Sequence, residues 1–385
     1  MMDKISILHV ISSCDPRGGG PIEGIKQLKQ HYTKNNINLE ILTLDEQNSS
    51  FLKNKDLPKV HAVGKGIFKY RYNFNLNKWL KKNIKNYKCI VVDGIWQYHD
   101  YCVWKFATKY KIPYFVYPHG MLDPWFNKKL TIKYLKKKIY WRLFQYKILK
   151  DAKKIFFTNN TEQRLAKLSF KPYIVKSYVT GYGINGNQYL KSTQNLFYKK
   201  YKNLKGKKIF LYIGRIAEIK GIDILIKAFS SIKENNFRLI IVGNNQNKYA
   251  SELKKIINDY CISKYIIWTG PLYGKIKWDC LRSADLVCLT SHQDSLGISV
   301  IESLSSGTPV LISNKVKIYN DIRKYKICYA NKPAISDTIN SFIKFKNNTI
   351  DKEIIKNEAI KCFKENFQMK FAANKLIKQL KFDKR

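Results

Sequence analysis

The sequence predicts an α/β protein built from two successive units with parallel sheets, and three observations carry that prediction. Short apolar runs of strand length alternate with segments of helical periodicity, the pattern of repeated βαβ units. The alternation halts in a polar, basic and poorly periodic stretch at 187–206, NQYLKSTQNLFYKKYKNLKG, and restarts at Lys208. A chain of 385 residues is also long for one hydrophobic core.

Composition narrows the class. Hydrophobic residues make up 45% and aromatics 14%, which is enough to fill sizeable cores and excludes a disordered chain. The formal net charge of +43 points to anionic partners such as a membrane surface, nucleic acid or phosphorylated substrates. The excess is nearly all lysine and comes with abundant Ile, Asn and Tyr, so a biased genome composition is an alternative source of it. The eight cysteines show no C-x-x-C and mostly lie in apolar runs, as expected of reduced, buried thiols in a cytosolic protein. The opening MMDKISILHVISS reads as a first strand and not as a signal peptide. No run approaches the roughly 18 apolar residues of a membrane span. Any membrane contact is therefore expected to be peripheral.

Taken in order, ISILHVIS at 5–12 is a strand that ends in the loop Asp15-Pro16-Arg17-Gly18-Gly19-Gly20-Pro21. Pro21 suits the first turn of a helix, continued by Ile22, Ile25 and Leu28. Gly18, Gly19 and Gly20 let backbone come close to a ligand, and the helix behind them can receive a phosphate. The spacing is not the G-x-G-x-x-G of a dinucleotide site, although Asp45 ends the next strand, NLEILTL. A bare Gly-rich turn is the alternative. Strands follow at Cys89–Val92, Tyr114–Tyr117 and Lys154–Thr158. After the second of these comes Pro118-His119-Gly120-Met121-Leu122, which puts His119 at a strand's carboxyl end beside a glycine. The bland alternative is a histidine bonded inside a turn. Of the other histidines only His292 sits near a candidate site. The stretch from Lys128 to Lys154 has helical periodicity, with Leu135, Ile139, Leu143 and Ile148 among its apolar positions and lysines and aromatics interleaved. It is expected to pack on the core with a solvated lysine face; lying on an anionic membrane is the competing reading.

In the second half, Lys208–Ile213 is a strand leading into Gly214-Arg215-Ile216-Ala217-Glu218-Ile219-Lys220-Gly221, and Ile222, Leu225, Ile226 and Phe229 then mark an amphipathic helix. Arg215 and Lys220 thus ride a loop at a sheet's carboxyl edge, where two cations can hold a diphosphate. Leu239–Gly243 and Ile266–Gly270 are strands whose following loops, at Gly243 and at Gly270-Pro271-Leu272, can hold a base through backbone contacts. DLVCLT at 285–290 is a buried strand. Beyond it Gly297 opens a helix marked by Ile298, Ile301 and Leu304, and its first N–H groups, at Gly297 and Ile298, can face a phosphate. Between Asp294 and Lys315 the only charged residue is Glu302. Asp294 lies in the strand-to-helix loop and Glu302 projects from the helix, both placed to accept bonds from sugar hydroxyls. The alternative is that Asp294 caps the helix and Glu302 pairs with a lysine. Amphipathic segments at Lys352–Phe367 and Phe371–Phe382 close the chain.

The stretch from Asp294 to Pro309 resembles the acidic-x7-acidic signature of retaining glycosyltransferases of the GT-B fold, family four, in their bacterial polysaccharide and lipopolysaccharide form. Asp294, Gly297, Glu302, Gly307, Thr308 and Pro309 match, with Asp in place of the first Glu and Leu296 in place of an aromatic residue. The Gly214-Arg215 and Lys220-Gly221 pairs and Pro-His-Gly-Met-Leu at 118–122 are similar too, and the resemblance runs along nearly the whole chain. It departs at Gly181-Tyr182-Gly183-Ile184-Asn185, where the family more often has Asn-Gly-Val-Asp.

The resemblance implies two Rossmann-like domains facing across a cleft. Residues 1–190 would take the acceptor and 191–365 the nucleotide-sugar donor, with a helix in 366–385 crossing back to the first domain. It implies a retaining, metal-independent hexosyltransferase that moves a sugar from a UDP- or GDP-sugar to a glycan or lipid-linked acceptor in surface polysaccharide biosynthesis. No cofactor or metal is expected, and the sequence contains no Asp-x-Asp. By the same resemblance His119 polarises the reacting sugar or orients its phosphate, and Arg215 and Lys220 neutralise the leaving diphosphate. Glu302 holds the ribose hydroxyls, Asp294 bonds a sugar hydroxyl, and Gly18, Gly19 and Gly20 approach the phosphates when the cleft closes. A nucleotide-sugar 2-epimerase shares this fold and is the rival enzyme. A basic nucleic-acid or membrane binder is the rival of another class, although no nucleic-acid motif supports the former. The expected location is cytoplasmic, with contact to the inner face of the membrane as the open addition.

Overall fold

The structure is a computed structural model that describes residues 5–127, 132–232 and 234–380. The chain divides into two compact units: one runs to Gly183 and resumes at Met369, and the other spans Ile184–Gln368.

The first unit is organised on seven parallel strands: β1 (Ile5–Ile11), β2 (Ile37–Thr43), β3 (Lys59–Ala62), β4 (Cys89–Asp93), β5 (Tyr114–Tyr117), β6 (Lys154–Phe157) and β7 (Ser177–Val179). Their order in the sheet is β3-β2-β1-β4-β5-β6-β7. The central strands are continuous apolar runs because both faces are covered. On one face Leu8, Val10, Ile90, Val92 and Val116 pack with the helices Phe74–Asn83 and Tyr98–Tyr110. On the other, Ile7, Val91 and Phe115 meet the helix Gly20–Lys34 and the chain's last described helix, Met369–Leu380. After β1 the chain winds outward through β2 and β3, then returns to add β4 on β1's other side. The loops after β1 and β4 therefore part at the carboxyl edge and leave a crevice, the usual ligand position in such sheets.

The second unit repeats the plan with β8 (Lys208–Ile213), β9 (Phe237–Val242), β10 (Ile266–Gly270), β11 (Leu286–Leu289), β12 (Val310–Ser313) and β13 (Cys328–Asn331), in the order β10-β9-β8-β11-β12-β13. Every pairing is again parallel. The winding direction reverses between β8 and β11. Arg215 and Lys220 leave from the first of these strands, Asp294 and Gly297 from the second.

Two expectations need correction. The stretch 187–206 is a folded part of the second unit, with a helix at Leu196–Lys200. Within it Phe197 and Leu204 are fully buried, and the N–H of Leu196 donates to the buried Asp279 at 2.8 Å. Of the predicted helix at Lys128–Lys154, residues 128–131 lie outside the described ones, and helical structure runs from Ile132 to Asp151 with a π turn at Trp141–Gln145. Its buried face is Trp141, Gln145, Ile148 and Leu149, whereas Leu135, Ile139 and Leu143 are exposed. The solvated face is therefore apolar as well as basic.

Candidate functional site

In the second unit the crevice between β8 and β11 gathers the acidic and basic residues singled out in the sequence. The loop after β8 closes in a short 3-10 turn, Glu218–Lys220, and Gly221 follows with φ 61°. A Cβ at Gly221 would stand 2.3 Å from the carbonyl oxygen of Thr290, so only glycine lets this loop lie against the end of β11. The Thr290 hydroxyl donates to Gly221 O at 2.7 Å, and the N–H of His292 donates to Ile219 O at 2.9 Å. Held in this way, the Lys220 ammonium forms an ion pair with the Asp294 carboxylate. The other oxygen of Asp294 accepts from the N–H of Gly297 at 3.0 Å and of Leu296 at 3.3 Å. Asp294 thus fixes the loop that leads into the helix Ile298–Ser305, whose N-cap is Gly297, and is the counter-ion of Lys220. Its backbone bonds to the 315–317 segment, Asp294 N donating to Lys315 O and Lys317 N to Asp294 O, a brace that motif spacing does not reveal.

Glu302 is carried on that helix, largely buried, and the Lys277 ammonium lies 2.6 Å from its Oε1. Lys277 stands on the helix Gly274–Ser283 and was not singled out from the sequence, where nothing separates it from its neighbouring lysines. Arg215 is exposed, its carbonyl fixed by the Tyr212 hydroxyl at 2.6 Å. Asn247 caps the helix Lys248–Asp259 by accepting from Ala250 N, and its amide donates to Ile216 O at 2.9 Å, so it steadies the same loop from beneath. Ile298 is half-buried at the helix start, and Leu272 is buried just past β10. Gly243 has a packing reason for its identity: a Cβ there would stand 2.3 Å from Gly214 O, and its N–H already donates to Gly270 O.

In the first unit His119 follows β5 with φ 49°, in the left-handed region where few residues without glycine's freedom are held. Buried Glu162 keeps the turn in place, accepting from Gly120 N at 2.6 Å and from the Thr158 N–H and hydroxyl. The His119 Nε2 meets Asp93 Oδ1 at 2.9 Å, while Asp93 Oδ2 meets His9 Nδ1 at 2.8 Å. His9 Nε2 lies 3.3 Å from the hydroxyl of buried Tyr32. Register explains the cluster: Ile11 on β1 lies opposite Asp93 on β4, and His9 is two residues back on the same face. Burial alone would raise the Asp93 carboxyl, but the two imidazoles, His9 foremost, hold it down at about 2. His9, Asp93 and His119 line a pocket with Tyr117, Thr158 and Tyr182.

Neither His9 nor Asp93 stood out in the sequence. The signal available was chemical: a histidine inside an apolar strand and a carboxylate ending another have no water to turn to and must find partners. Gly18 and Gly19 sit in the open loop after β1, where a Cβ on either would meet nothing within 4 Å, and Gly20 begins the first helix. Asp45 is taken up by Ser13, Cys14 N and Thr43, so it braces that loop. Among the described residues, no group of three His, Cys, Asp or Glu is placed to hold a metal ion, and no helix is long and apolar enough to cross a membrane.

Two parallel doubly wound units of this kind make up the GT-B fold, and solved structures share it along the chain. Sucrose-phosphate synthase from Thermosynechococcus elongatus superposes with a TM-score of 0.77 at 16% identity, covering 98% of this chain and 99% of that one. An Anabaena protein crystallised with UDP-glucose gives 0.77 at 15% identity, over 98% and 99%. Residues 194–361, within the second unit, match the family described as "Glycosyl transferases group 1". Related by sequence are an uncharacterized glycosyltransferase of Methanocaldococcus jannaschii, 30% identical over 28% of this chain and 27% of its own length, and mannosylfructose-phosphate synthase of Agrobacterium fabrum, 29% identical over 28% and 25%. The matched region spans about a quarter of the length of these relatives.

Proposed function

We propose that this protein is a retaining glycosyltransferase that takes a hexose from a UDP- or GDP-sugar and transfers it to a glycan or lipid-linked acceptor in surface polysaccharide biosynthesis. The observation that carries the reading is the pair of lysine–carboxylate contacts, Lys220 with Asp294 and Lys277 with Glu302, assembled where the second sheet reverses its winding. Such a crevice combines fixed cations with a helix N-terminus, the combination that a leaving diphosphate needs. The UDP-glucose bound by the Anabaena structure supports a uridine nucleotide as one donor choice.

In this reading Arg215 and Lys220 neutralise the diphosphate, Glu302 accepts from the ribose hydroxyls, and Asp294 accepts from a sugar hydroxyl. Gly297 and Ile298 offer N–H groups to phosphate, while Leu272 and the backbone around Gly243 border the base. The first unit contributes the acceptor site, the open Gly18–Gly20 loop and His119, whose ring orients the reacting sugar. The bond from the sugar's anomeric carbon to the phosphate oxygen breaks and its electron pair leaves with the nucleotide. The acceptor oxygen bonds the same carbon from the same face, and its proton passes to the departing phosphate. No step calls for a metal.

The test is to incubate the protein with UDP- and GDP-hexoses, with and without added acceptors, and follow the anomeric proton by NMR. Transfer with an unchanged anomeric configuration is expected, lost in Glu302→Gln. Isomerisation of the free nucleotide sugar without any acceptor would instead make the protein a 2-epimerase.

A further inference from the structure

The first unit leaves an apolar surface uncovered, and two neighbouring segments build it. In the first, Ile67 and Tyr72 pair antiparallel through bonds of 2.9 and 3.0 Å in both directions. Phe68 stands at the tip of this hairpin, 85% exposed and with φ 56°. A bulky side chain in left-handed backbone is costly, and here no core contact repays it. The second segment is the helix after Ile132. Ile132, Leu135, Ile139 and Leu143 fall at i, i+3, i+7 and i+11 on one face, and all four are exposed, Ile132 to 77%. The opposite face holds the buried Trp141, Gln145, Ile148 and Leu149. This stripe is therefore surplus to the core. The segments adjoin, because the hydroxyls of Tyr70 and Tyr140 lie 3.0 Å apart and their rings meet edge-on at 5.8 Å.

Charge says what covers the surface. Lys65 and Lys69 flank the hairpin tip, and Lys136, Lys138, Arg142 and Lys147 line the stripe, all exposed. The sequence has no Asp or Glu between Asp56 and Asp93, and none between Asp123 and Asp151. We infer that this surface docks on an anionic phospholipid membrane, with Phe68 and the Ile132–Leu143 stripe entering the interface and the cations resting among the head groups. Apolar side chains backed by Lys and Arg are what such binding requires, since hydrophobic burial and attraction to anionic lipid add. A second copy of the chain fits poorly, because two faces of like charge would repel. A side chain projecting from a tip suits a deformable lipid surface better than a preformed protein pocket.

Docking needs no nucleotide sugar, so its test is independent of the transferase reading. The whole chain is sedimented with vesicles of phosphatidylcholine alone and of phosphatidylcholine and phosphatidylglycerol in equal parts, at low salt and at roughly 0.5 M salt. Wild type is expected to bind the anionic vesicles, to bind neutral ones weakly, and to release at high salt. Phe68→Ser and the double variant Leu135→Ser, Ile139→Ser should each weaken binding by about tenfold or more, with melting temperatures near wild type because these positions are exposed. Lys136→Glu with Lys138→Glu should weaken it as well. Undiminished binding in the apolar variants, equal binding to neutral vesicles, or no vesicle binding together with self-association in analytical ultracentrifugation would each overturn the inference.

Discussion

Asp93 offers a quantitative test of the site in the first unit. Its carboxyl is fully buried and lies between two imidazoles, and its value falls from 3.8 to about 2 on folding. A depressed carboxylate stabilises the fold above its unfolded value and loses that contribution as pH falls through the folded one. The shift amounts to about 2 kcal/mol. Asp93→Asn keeps the shape and can keep the hydrogen bonds. The amide oxygen accepts from His119 Nε2, and the amide N–H donates to His9 Nδ1 once His9 carries its proton on Nε2, toward Tyr32. What it removes is the charge. Urea unfolding should therefore show the variant less stable by about 2 kcal/mol near neutral pH, with the gap closing as the pH falls from about 4 toward 2. Asp93→Ala removes the bonds as well, strands two imidazoles and should cost about 3–5 kcal/mol. A gap between wild type and Asp93→Asn that stays constant over this range would refute the ionic account. Because Asp93 holds the ring of His119, Asp93→Ala should also lower kcat while leaving nucleotide affinity in the second unit unchanged; an equal loss in affinity would contradict a positioning role.

Two further substitutions probe how the second unit holds its loops. Gly243→Ala forces a Cβ to 2.3 Å from Gly214 O and 2.9 Å from Ile216 Cδ1, so it should destabilise by about 1–3 kcal/mol, measured by calorimetry; an unchanged melting temperature would deny the close approach. Asn247→Ala removes a helix cap worth about 1 kcal/mol and frees the carbonyl of Ile216. Weaker nucleotide binding should accompany that modest loss of stability, and full affinity would show that the loop carrying Arg215 and Lys220 does not depend on this brace.

Much of this architecture was legible in the sequence because buried parallel strands are continuous apolar runs and the loops at their carboxyl ends carry the unusual residues. DLVCLT and KIFLYI are strands for that reason, and the isolation of Glu302 among apolar and small residues marked its helix. The short edge strands at Lys59–Ala62 and Ser177–Val179 were not legible, since three or four half-exposed residues leave no periodicity to read. Nor was the outward apolar stripe of the helix after Ile132. Periodicity counts apolar positions without saying which face meets the core, and this helix has an apolar face on each side. The partners of the site carboxylates were hidden for a different reason. Lys277 is one lysine among many, and the His9–Asp93–His119 cluster joins two strands and the loop after a third, which only sheet order brings side by side. Asp294 was open to two readings, helix cap or charged site residue; one carboxylate oxygen pairs with Lys220 and the other holds the loop at Gly297, which is itself the cap residue.

The central claim is that the second unit holds a nucleotide diphosphate on Lys220 and Arg215. It is tested most directly by the melting temperature of wild type and Lys220→Ala in the presence of UDP, GDP, ADP and their sugar conjugates at fixed salt, since a ligand that binds the folded state raises it. The account predicts a clear rise with one nucleotide class, abolished in Lys220→Ala. No rise with any of them, together with stabilisation by heparin or DNA, would contradict it and leave the positive charge itself as the functional feature.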